Sequence, residues 1–307
     1  MTLQQLIYSI TISESGSMNK AAECLFISQP TLTKAIKELE SEIGFSIFIR
    51  SGRGVELTGD GRDFIIYAKQ VCQQYDVLKD KFGTKGNRRK KFGISTQHYS
   101  FALKAFTGLV LKYDTADYDF AFRETTTRDV IDDVGNLKSE IGILFFSDYN
   151  SKVIEKDLRD NDLVFTPLIE CKACVYLSKN HPLAEKSSVD FEELSPYPCI
   201  SFEQRESDPI YYSEEILAEK DYRRKITIND RGSALGMINE LNAYILCSGI
   251  INDDINGAGY KMLRLRGEEG DAVMHIGFVT KRNILLSKIG EEYIELLKEN
   301  IKIKQRL

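Results

Sequence analysis

Residues 16–44 place two helical segments on either side of a tight turn, which strongly limits what this part of the chain can form. A Gly-Ser turn precedes a short helix over 18–25, and a brief connection leads to Ser28, which suits the N-cap of a further helix. Pro30 fits the first turn of that helix, where N–H groups are unpaired anyway, and Gly44 ends it. Its apolar residues recur at helical spacing: Leu32, Ala35, Ile36, Leu39 and Ile43. This order of elements predicts a helix-turn-helix.

The exposed face of that last helix carries side chains that can read DNA. Glutamine can form two hydrogen bonds with an adenine edge, threonine can contact thymine, and lysine can reach guanine or phosphate. The hairpin that follows, over 48–57, carries arginines that can contact phosphates or enter the minor groove. The candidate DNA-binding residues are Ser28, Gln29, Pro30, Thr31, Thr33, Lys34, Lys37, Arg50, Ser51 and Arg53. The alternative interpretation is a helical interaction module with a polar face.

The net charge of -5 at first argues against nucleic acid, but the charge is unevenly distributed. Residues 1–91 hold 14 Lys/Arg and 10 Asp/Glu, a net charge of +4, whereas residues 92–307 hold 27 and 36, a net charge of -9. Residues 1–58 alone hold 5 Lys/Arg and 6 Asp/Glu. Attraction to DNA must therefore come from the placement of Lys34, Lys37, Arg50 and Arg53 on one face, and from doubling by a partner subunit.

A long helix is expected from 59 to about 83, and its apolar residues form a heptad seam. They are spaced alternately by four and three residues: Phe64, Ala68, Val71, Tyr75, Leu78 and Phe82. Such a seam favours a partner helix, because little of residues 1–58 remains to cover it. The alternative is a helix packed only on its own domain. The polar, basic stretch 85–91 then resembles a linker.

Beyond residue 91, strands and helices alternate, which predicts α/β units with largely parallel sheets. Strands are expected at 92–95, 118–123, 141–146, 162–169, 171–178, 198–202, 224–228, 243–247 and 272–280. Helices are expected at about 99–112, 127–137, 208–221, 232–241 and 286–301. About 215 residues are enough for two small lobes.

Two runs of residues are distinctive: 15–40, SGSMNKAAECLFISQPTLTKAIKELE, and 44–58, GFSIFIRSGRGVELT. Both resemble the signature of LysR-type transcriptional regulators, and weaker similarity to this family extends over the whole chain. The resemblance implies a winged helix-turn-helix domain (1–58), a dimerising linker helix (59–86) and a two-lobed effector domain (87–307). The effector domain is expected to resemble a type II periplasmic binding protein, with lobe I at about 87–162 and 268–307 and lobe II at about 163–267.

The resemblance also implies partners and roles for particular residues. It places Gln29, Pro30, Thr33 and Lys34 at the major groove and Arg50 and Arg53 in the wing. The implied partners are double-stranded promoter DNA, a small-molecule effector, further copies of the chain in a dimer or tetramer, and RNA polymerase as an additional candidate. The family more often has Ser and Arg where this chain has Thr33 and Lys34, and Gly-x-Gly where it has Asn242-Ala243-Tyr244.

A polar effector is expected at strand ends and helix N-termini that converge between the lobes, because free N–H groups and hydroxyls there suit polar or anionic ligands. Arg231 can pair with a ligand carboxylate, and His98 and Tyr99 are candidates for the cleft mouth. The candidate effector-binding residues are Ser95, Thr96, Gln97, Thr125, Thr126, Thr127, Ser201, Phe202, Arg231 and Ser233. For each group, the alternative is ordinary helix capping.

The remaining motifs favour no catalytic, metal or cofactor chemistry. The three histidines lie far apart in sequence, and no GxSxG, HExxH or P-loop motif occurs, so the sequence predicts no enzyme, metal or cofactor. The CxxC pair Cys171 and Cys174 fits one strand better than a redox motif. A thiol-redox switch using Cys199 and Cys247, or regulation without a ligand, remains an alternative on the same scaffold.

The composition bears on folding and location. Hydrophobic residues make up 42% of the chain and charged residues 28%, which excludes wholesale disorder. The longest uncharged apolar run, 241–251, is too short for a membrane span, which needs about 20 residues. The start of the sequence resembles no signal peptide, so a cytoplasmic location without membrane partners is expected.

Overall fold

The chain divides into two compact units, Met1–Gly86 and Asn87–Leu307. The computed structural model describes residues 1–51, 54–82, 89–115 and 117–305. The expected linker at 85–91 falls largely outside these ranges, since only residues 89–91 are described.

The first unit combines helices with a short antiparallel hairpin. Its elements are α1 (Leu3–Ser15), α2 (Met18–Cys24), α3 (Gln29–Ile43), β1 (Phe48–Ser51), β2 (Gly54–Leu57) and α4 (Gly59–Phe82). The helix-turn-helix pattern is confirmed: Ser17 and Ser28 cap α2 and α3, and Gly44 ends α3 with a left-handed φ of 84°. Ile12, Leu32 and Ile36 are buried together between the helices. Their burial fixes the angle at which α3 presents its polar face.

The second unit alternates strands and helices. Its elements are β3 (Lys90–Thr96), α5 (Ser100–Lys112), β4 (Tyr118–Glu124), α6 (Thr127–Gly135), β5 (Ile141–Phe146), α7 (Ser151–Asp160), β6 (Leu163–Lys172), β7 (Cys174–Ser178), β8 (Ser188–Val189), α8 (Phe191–Leu194), β9 (Cys199–Phe202), β10 (Lys225–Ile228), α9 (Arg231–Leu241), β11 (Tyr244–Cys247), α10 (Asp253–Asn256), β12 (Tyr260–Leu265), β13 (Val273–Lys281) and α11 (Lys288–Gln305).

The strands of this unit form two sheets, which define its two lobes. The sheet of lobe I has the order β4-β3-β5-β13-β6, and the sheet of lobe II has the order β10-β9-β11-β7-β12-β8. The expectation of largely parallel sheets is wrong in part. The strand β13 pairs antiparallel with β5 and β6, and β7 pairs antiparallel with β11 and β12. Both sheets are therefore mixed in strand direction.

The chain passes from lobe I to lobe II later than expected. The strand β6 lies along β13 in lobe I, with Lys172 opposite Val273, so the passage occurs at Ala173 and not near 163. For the same reason the expected strand 171–178 is two strands in different sheets. The return passage lies between β12 and β13, on either side of residue 267.

The expected helix over 208–221 is wrong. Residues 210–212 form one 3-10 turn after Pro209, and no α-helix occurs between β9 and β10 in the described chain. We call residues 203–216 the interlobe segment, because they leave the lobe II sheet and pack on lobe I. Tyr212, only 3% exposed, lies in a cluster with Val130, Ile131 and Leu158 of lobe I. Burial of the Tyr212 ring against lobe I thus outweighs the tendency of this segment to form an α-helix.

Three further elements have weak local signals. The helix α7 buries only Ile154 and Leu158 on an otherwise charged sequence. The strand β12 alternates buried Leu263 and Leu265 with exposed residues, and it lies between β7 and the edge strand β8. The strand β8 has two residues and forms through its pairing with β12.

Candidate functional site

The N-terminal half of α3 presents an exposed polar surface. The Ser28 hydroxyl accepts a hydrogen bond from the Thr31 N–H at 3.3 Å and lies 2.7 Å from the Thr31 hydroxyl. The Gln29 amide donates to the Thr33 hydroxyl at 3.2 Å. The residues exposed here are Ser28, Gln29, Pro30, Thr31, Lys34 and Lys37, with Thr33 half-buried. This face has the chemistry and the exposure that direct contact with base edges requires.

Glu40 connects α3 to the hairpin, a role that the sequence reasoning missed. Its carboxylate accepts the N–H of Ile47 at 2.7 Å and that of Phe48 at 3.2 Å. The Val55 N–H also donates to the Gly16 carbonyl at 3.0 Å, so the hairpin is held at both ends. The side chains of Arg50 and Ser51, and Arg53 as a whole, lie outside the described part of the structure. Their expected contacts with DNA stay predictions.

The helix α4 changes character along its length. Its first half buries Ile65 and Ala68 against the rest of the unit, as a helix packed on its own domain would. From Tyr67 onward it exposes apolar side chains on neighbouring turns: Tyr67 is 63%, Val71 51%, Tyr75 39% and Leu78 55% exposed. The side chain of Phe82 lies outside the described part. The expected seam is therefore half covered and half exposed within this unit.

A cavity of about 90 Å³ lies between the two lobes of the second unit. Its polar wall includes His98, Glu214, Glu215, Arg231 and Asn256. Its apolar wall is formed by Tyr176, Phe202, Ala234, Leu235, Ile245, Leu246, Ile250, Ile251 and Met274. Of the ten candidate effector-binding residues, Phe202 and Arg231 line this cavity, and so do His98 and Tyr99.

The other candidates bond within the protein instead of lining the cavity. The hydroxyl of Ser95 donates to Asp133 at 2.6 Å inside lobe I, and that of Thr96 donates to the Gln97 carbonyl at 2.8 Å. The Gln97 amide bonds the Thr127 hydroxyl at 2.5 Å. The hydroxyls of Thr125 and Thr126 donate to Asp129, and that of Ser233 donates to Asp230. Ser201 is buried within β9. Helix capping, the alternative interpretation, describes Thr126, which caps α6, and Ser233, which bonds the α9 cap Asp230.

The interlobe segment supplies the acidic groups of the cavity, Glu214 and Glu215, which no local sequence pattern marks. Glu214 accepts the His98 N–H at 2.9 Å and lies 2.8 Å from the His98 ring nitrogen Nδ1. The His98 ring stacks on Phe202 at 3.8 Å between centroids. Burial, followed by repulsion from Glu214, raises the pKa of Glu215 to about 8. The carboxyl of Glu215 is therefore largely protonated at neutral pH in this state.

Ion pairs and hydrogen bonds join the lobes around the cavity. Arg205 of the interlobe segment pairs with Asp129 and Asp132 of lobe I. Arg128 of lobe I pairs with Asp208 at 2.6 Å, and the Thr127 N–H donates to Gln204 at 3.1 Å. Arg231 of lobe II pairs with Glu124 of lobe I. The two lobes are thus closed on each other.

The cysteine geometry differs from the Cys199–Cys247 alternative. The β11 partner of Cys199 is Tyr244, whereas Cys247 lies opposite Cys174 on β7. Burial raises the pKa of both Cys199 and Cys247 to about 12, so little thiolate exists at neutral pH. Because the thiolate is the form that reacts with oxidants, its scarcity does not favour a redox switch at either cysteine.

No group of His, Cys, Asp and Glu side chains in the described ranges is arranged to hold a metal ion. Within those same ranges, no helix has the length and apolar character needed to cross a membrane.

Comparisons with known proteins match both units. A sequence model of bacterial regulatory helix-turn-helix proteins of the lysR family matches residues 3–62, and a model of the LysR substrate binding domain matches residues 116–302. A probable nitrogen assimilation transcriptional activator of Synechocystis is 24% identical over 75% of this chain and 71% of its own length.

Two solved structures share the fold. Full-length OxyR of Pseudomonas aeruginosa is 17% identical, with a TM-score of 0.66 over 99% of this chain and 95% of its own. Full-length CbnR, solved with its target DNA, is 16% identical, with a TM-score of 0.56 over 98% of this chain and 100% of its own.

Proposed function

The chain belongs to the LysR family of bacterial transcriptional regulators, and from this premise we propose how its own residues act. The face of α3 reads promoter DNA, α4 joins two copies of the chain, and the cavity between the lobes holds a small effector. The observation that carries the proposal is the joint presence of an exposed, capped α3 and a cavity between the two lobes in one chain. The family models and relatives are regulators, so we assign the chain regulation and no catalytic reaction, in the cytoplasm.

For DNA recognition, Gln29 and Thr33 supply hydrogen-bonding groups toward bases, and Lys34 and Lys37 supply charge toward phosphates. The lysines are exposed, and the nearest carboxylate to Lys34 is that of Glu38 at 3.9 Å. Such a solvent-exposed pair contributes little and does not neutralise the lysine. Affinity for DNA should therefore fall steeply with salt, because each phosphate contact releases counterions.

For self-association, the exposed apolar side chains of α4 favour a second copy of the chain. Val71 and Leu78 lie seven residues apart, one heptad, with Tyr75 between them, which is the spacing of a coiled-coil seam. A Val71→Glu, Leu78→Glu double variant should be monomeric by light scattering. Leu111→Glu, at another exposed leucine, is the matched control and should keep the oligomeric state. Equal masses for the two variants would contradict the role of α4.

The DNA-binding proposal is tested by a mobility shift with the DNA upstream of the protein's own gene. We expect this fragment to bind more tightly than random DNA of equal length, with an affinity that falls as salt is raised. Equal affinity for both DNAs would contradict sequence-specific regulation. RNA polymerase remains a candidate further partner, to be tested on the same promoter by transcription in vitro.

A further inference from the structure

A residue that lines the interlobe cavity has a buried carboxyl oxygen with no partner among the described residues. Glu215 is 7% exposed, and its Oε1 accepts the Phe202 N–H at 2.6 Å. Its Oε2 is buried, and no residue in the described part of the chain bonds to it. Buried polar atoms are almost always hydrogen-bonded, so such an atom in a ligand cavity indicates a group that a ligand satisfies.

A buried donor lines the same cavity. The terminal nitrogens of Arg231 bond Glu124 and, at 3.5 Å, the Asn256 amide oxygen. The Nε–H of Arg231 is buried and has no partner among the residues that the structure describes. The cavity therefore offers an acceptor at Glu215 and a donor at Arg231, next to an apolar wall that can hold the body of a ligand.

We propose, on the basis of the function proposed above, that the effector is a small zwitterion with a primary amine and a carboxylate on a short apolar body. The ammonium group bonds Glu215, and the carboxylate accepts from Nε of Arg231. The cavity of about 90 Å³ restricts the ligand to a few heavy atoms in this closed state. Amino acids with short side chains have this chemistry.

The balance of charge around the cavity favours a zwitterion over an anion. Glu124, Glu214 and Glu215 are close to the cavity, whereas Arg231 already pairs with Glu124. A simple carboxylate would meet Arg231 but would add negative charge beside Glu214 and Glu215 and would offer no cation to them. A zwitterion places its carboxylate on Arg231 and its ammonium group against the Glu215 carboxylate, so that each buried charge is compensated.

Binding should be linked to a proton. The charged and titratable groups that face Glu215 are Glu214, Lys225, Cys199, Tyr99 and Tyr222. In the ligand-free cavity, burial raises the pKa of Glu215 to about 8, whereas an adjacent ammonium favours its ionised form. The zwitterion therefore displaces a proton from Glu215. Its affinity should therefore fall by about tenfold for each unit that the pH is lowered below that pKa.

The test is isothermal titration of the full-length chain with the standard L-amino acids. Each one that binds is compared with its deaminated acid and its decarboxylated amine. We expect at least one amino acid to bind, both truncated compounds to bind at least about tenfold more weakly, and the heat in different buffers to show proton release. Failure of every amino acid, or equal binding by a deaminated acid, would overturn the proposal.

Two variants test the role of the carboxylate. Glu215→Gln keeps the acceptor for the Phe202 N–H but loses the charge, so it should weaken amino acid binding by about tenfold or more and abolish proton release. Glu219→Gln makes the same change at an exposed position shortly after the interlobe segment and should leave binding unchanged. Equal affinities for the two variants would overturn the assignment of Glu215. If Glu215→Gln does not fold, the truncated compounds and the proton release still decide.

A DNA mobility-shift assay on the same protein preparation distinguishes failure of the proposed ligand class from failure of the proposed regulatory function. Specific DNA binding without amino acid binding would refute only the class of ligand. Absence of specific DNA binding by the wild-type chain would refute the regulatory function itself.

Discussion

The docking of the interlobe segment on lobe I should depend mainly on Tyr212. The ring of Tyr212 is 3% exposed, lies 4.2 Å below the Arg128 guanidinium, and donates its hydroxyl to Asp157 at 2.8 Å. Replacing a buried ring of this size by alanine costs about 3–5 kcal/mol. The lost hydroxyl bond adds about 1 kcal/mol, because Arg128 remains bonded to Asp157. Tyr212→Ala should therefore destabilise the docking of residues 203–216 on lobe I by roughly 4–6 kcal/mol.

Hydrogen exchange measured by mass spectrometry on the full chain reports this loss directly. A loss of about 4 kcal/mol should speed amide exchange in residues 203–216 by roughly a thousandfold, up to the rate of the unprotected segment. Tyr211→Ala is the matched control, because the Tyr211 ring is half-buried and stacks on Tyr149 at 4.7 Å. It should change exchange by less than about tenfold. Similar exchange in the two variants would refute the view that Tyr212 anchors the segment.

Three other predictions follow from the geometry. Ser28→Ala removes the N-cap of α3 and should cost about 1 kcal/mol, seen as faster amide exchange at Thr31, whereas Ser28→Thr should be nearly neutral. Glu40→Ala leaves the N–H groups of Ile47 and Phe48 without their acceptor. It should lower the free energy of unfolding in denaturant by about 2–4 kcal/mol and weaken DNA binding. Unchanged stability and unchanged DNA binding would contradict the role of Glu40. Because the pKa of Glu215 is raised to about 8 in the folded state, its contribution to stability is present below about pH 4.5 and is lost as pH rises through 8. Glu215→Gln should flatten this part of the thermal stability profile, and an unchanged profile would contradict the raised pKa.

The sequence predicted best where local rules and tertiary structure agree. In the first unit, the caps at Ser17 and Ser28 and the left-handed glycine at Gly44 are local signals, and the helices begin and end accordingly. The contact of Glu40 with the hairpin was not predictable in this way, because it joins groups seven and eight residues apart across a turn. The overall order of strands and helices in the second unit was also predicted, but the mixed direction of the sheets was not.

The predictions for the cavity were limited in the same way, because local sequence patterns do not show which side chains tertiary packing brings together. Thr126, Ser233 and similar residues follow strand ends, as expected of ligand-binding groups, but their side chains cap helices and bond nearby carboxylates. The acidic groups come from the interlobe segment, which helical periodicity assigned to a helix. Glu215 and Arg231 line one cavity although they are sixteen residues apart, and no local pattern encodes this proximity.

Base reading by α3 is the central claim, and the ratio of affinities for the protein's own upstream DNA and a base-shuffled copy tests it most directly. The wild type should prefer the upstream DNA, and Gln29→Ala should lower its affinity for that DNA by about 1–3 kcal/mol while barely changing its affinity for the shuffled copy. Lys34→Ala should weaken binding to both DNAs alike, and Lys112→Ala, at an exposed lysine of the second unit, should change neither. A wild-type ratio of one, or a ratio unaffected by Gln29→Ala, would contradict the assignment of α3 as the element that reads bases.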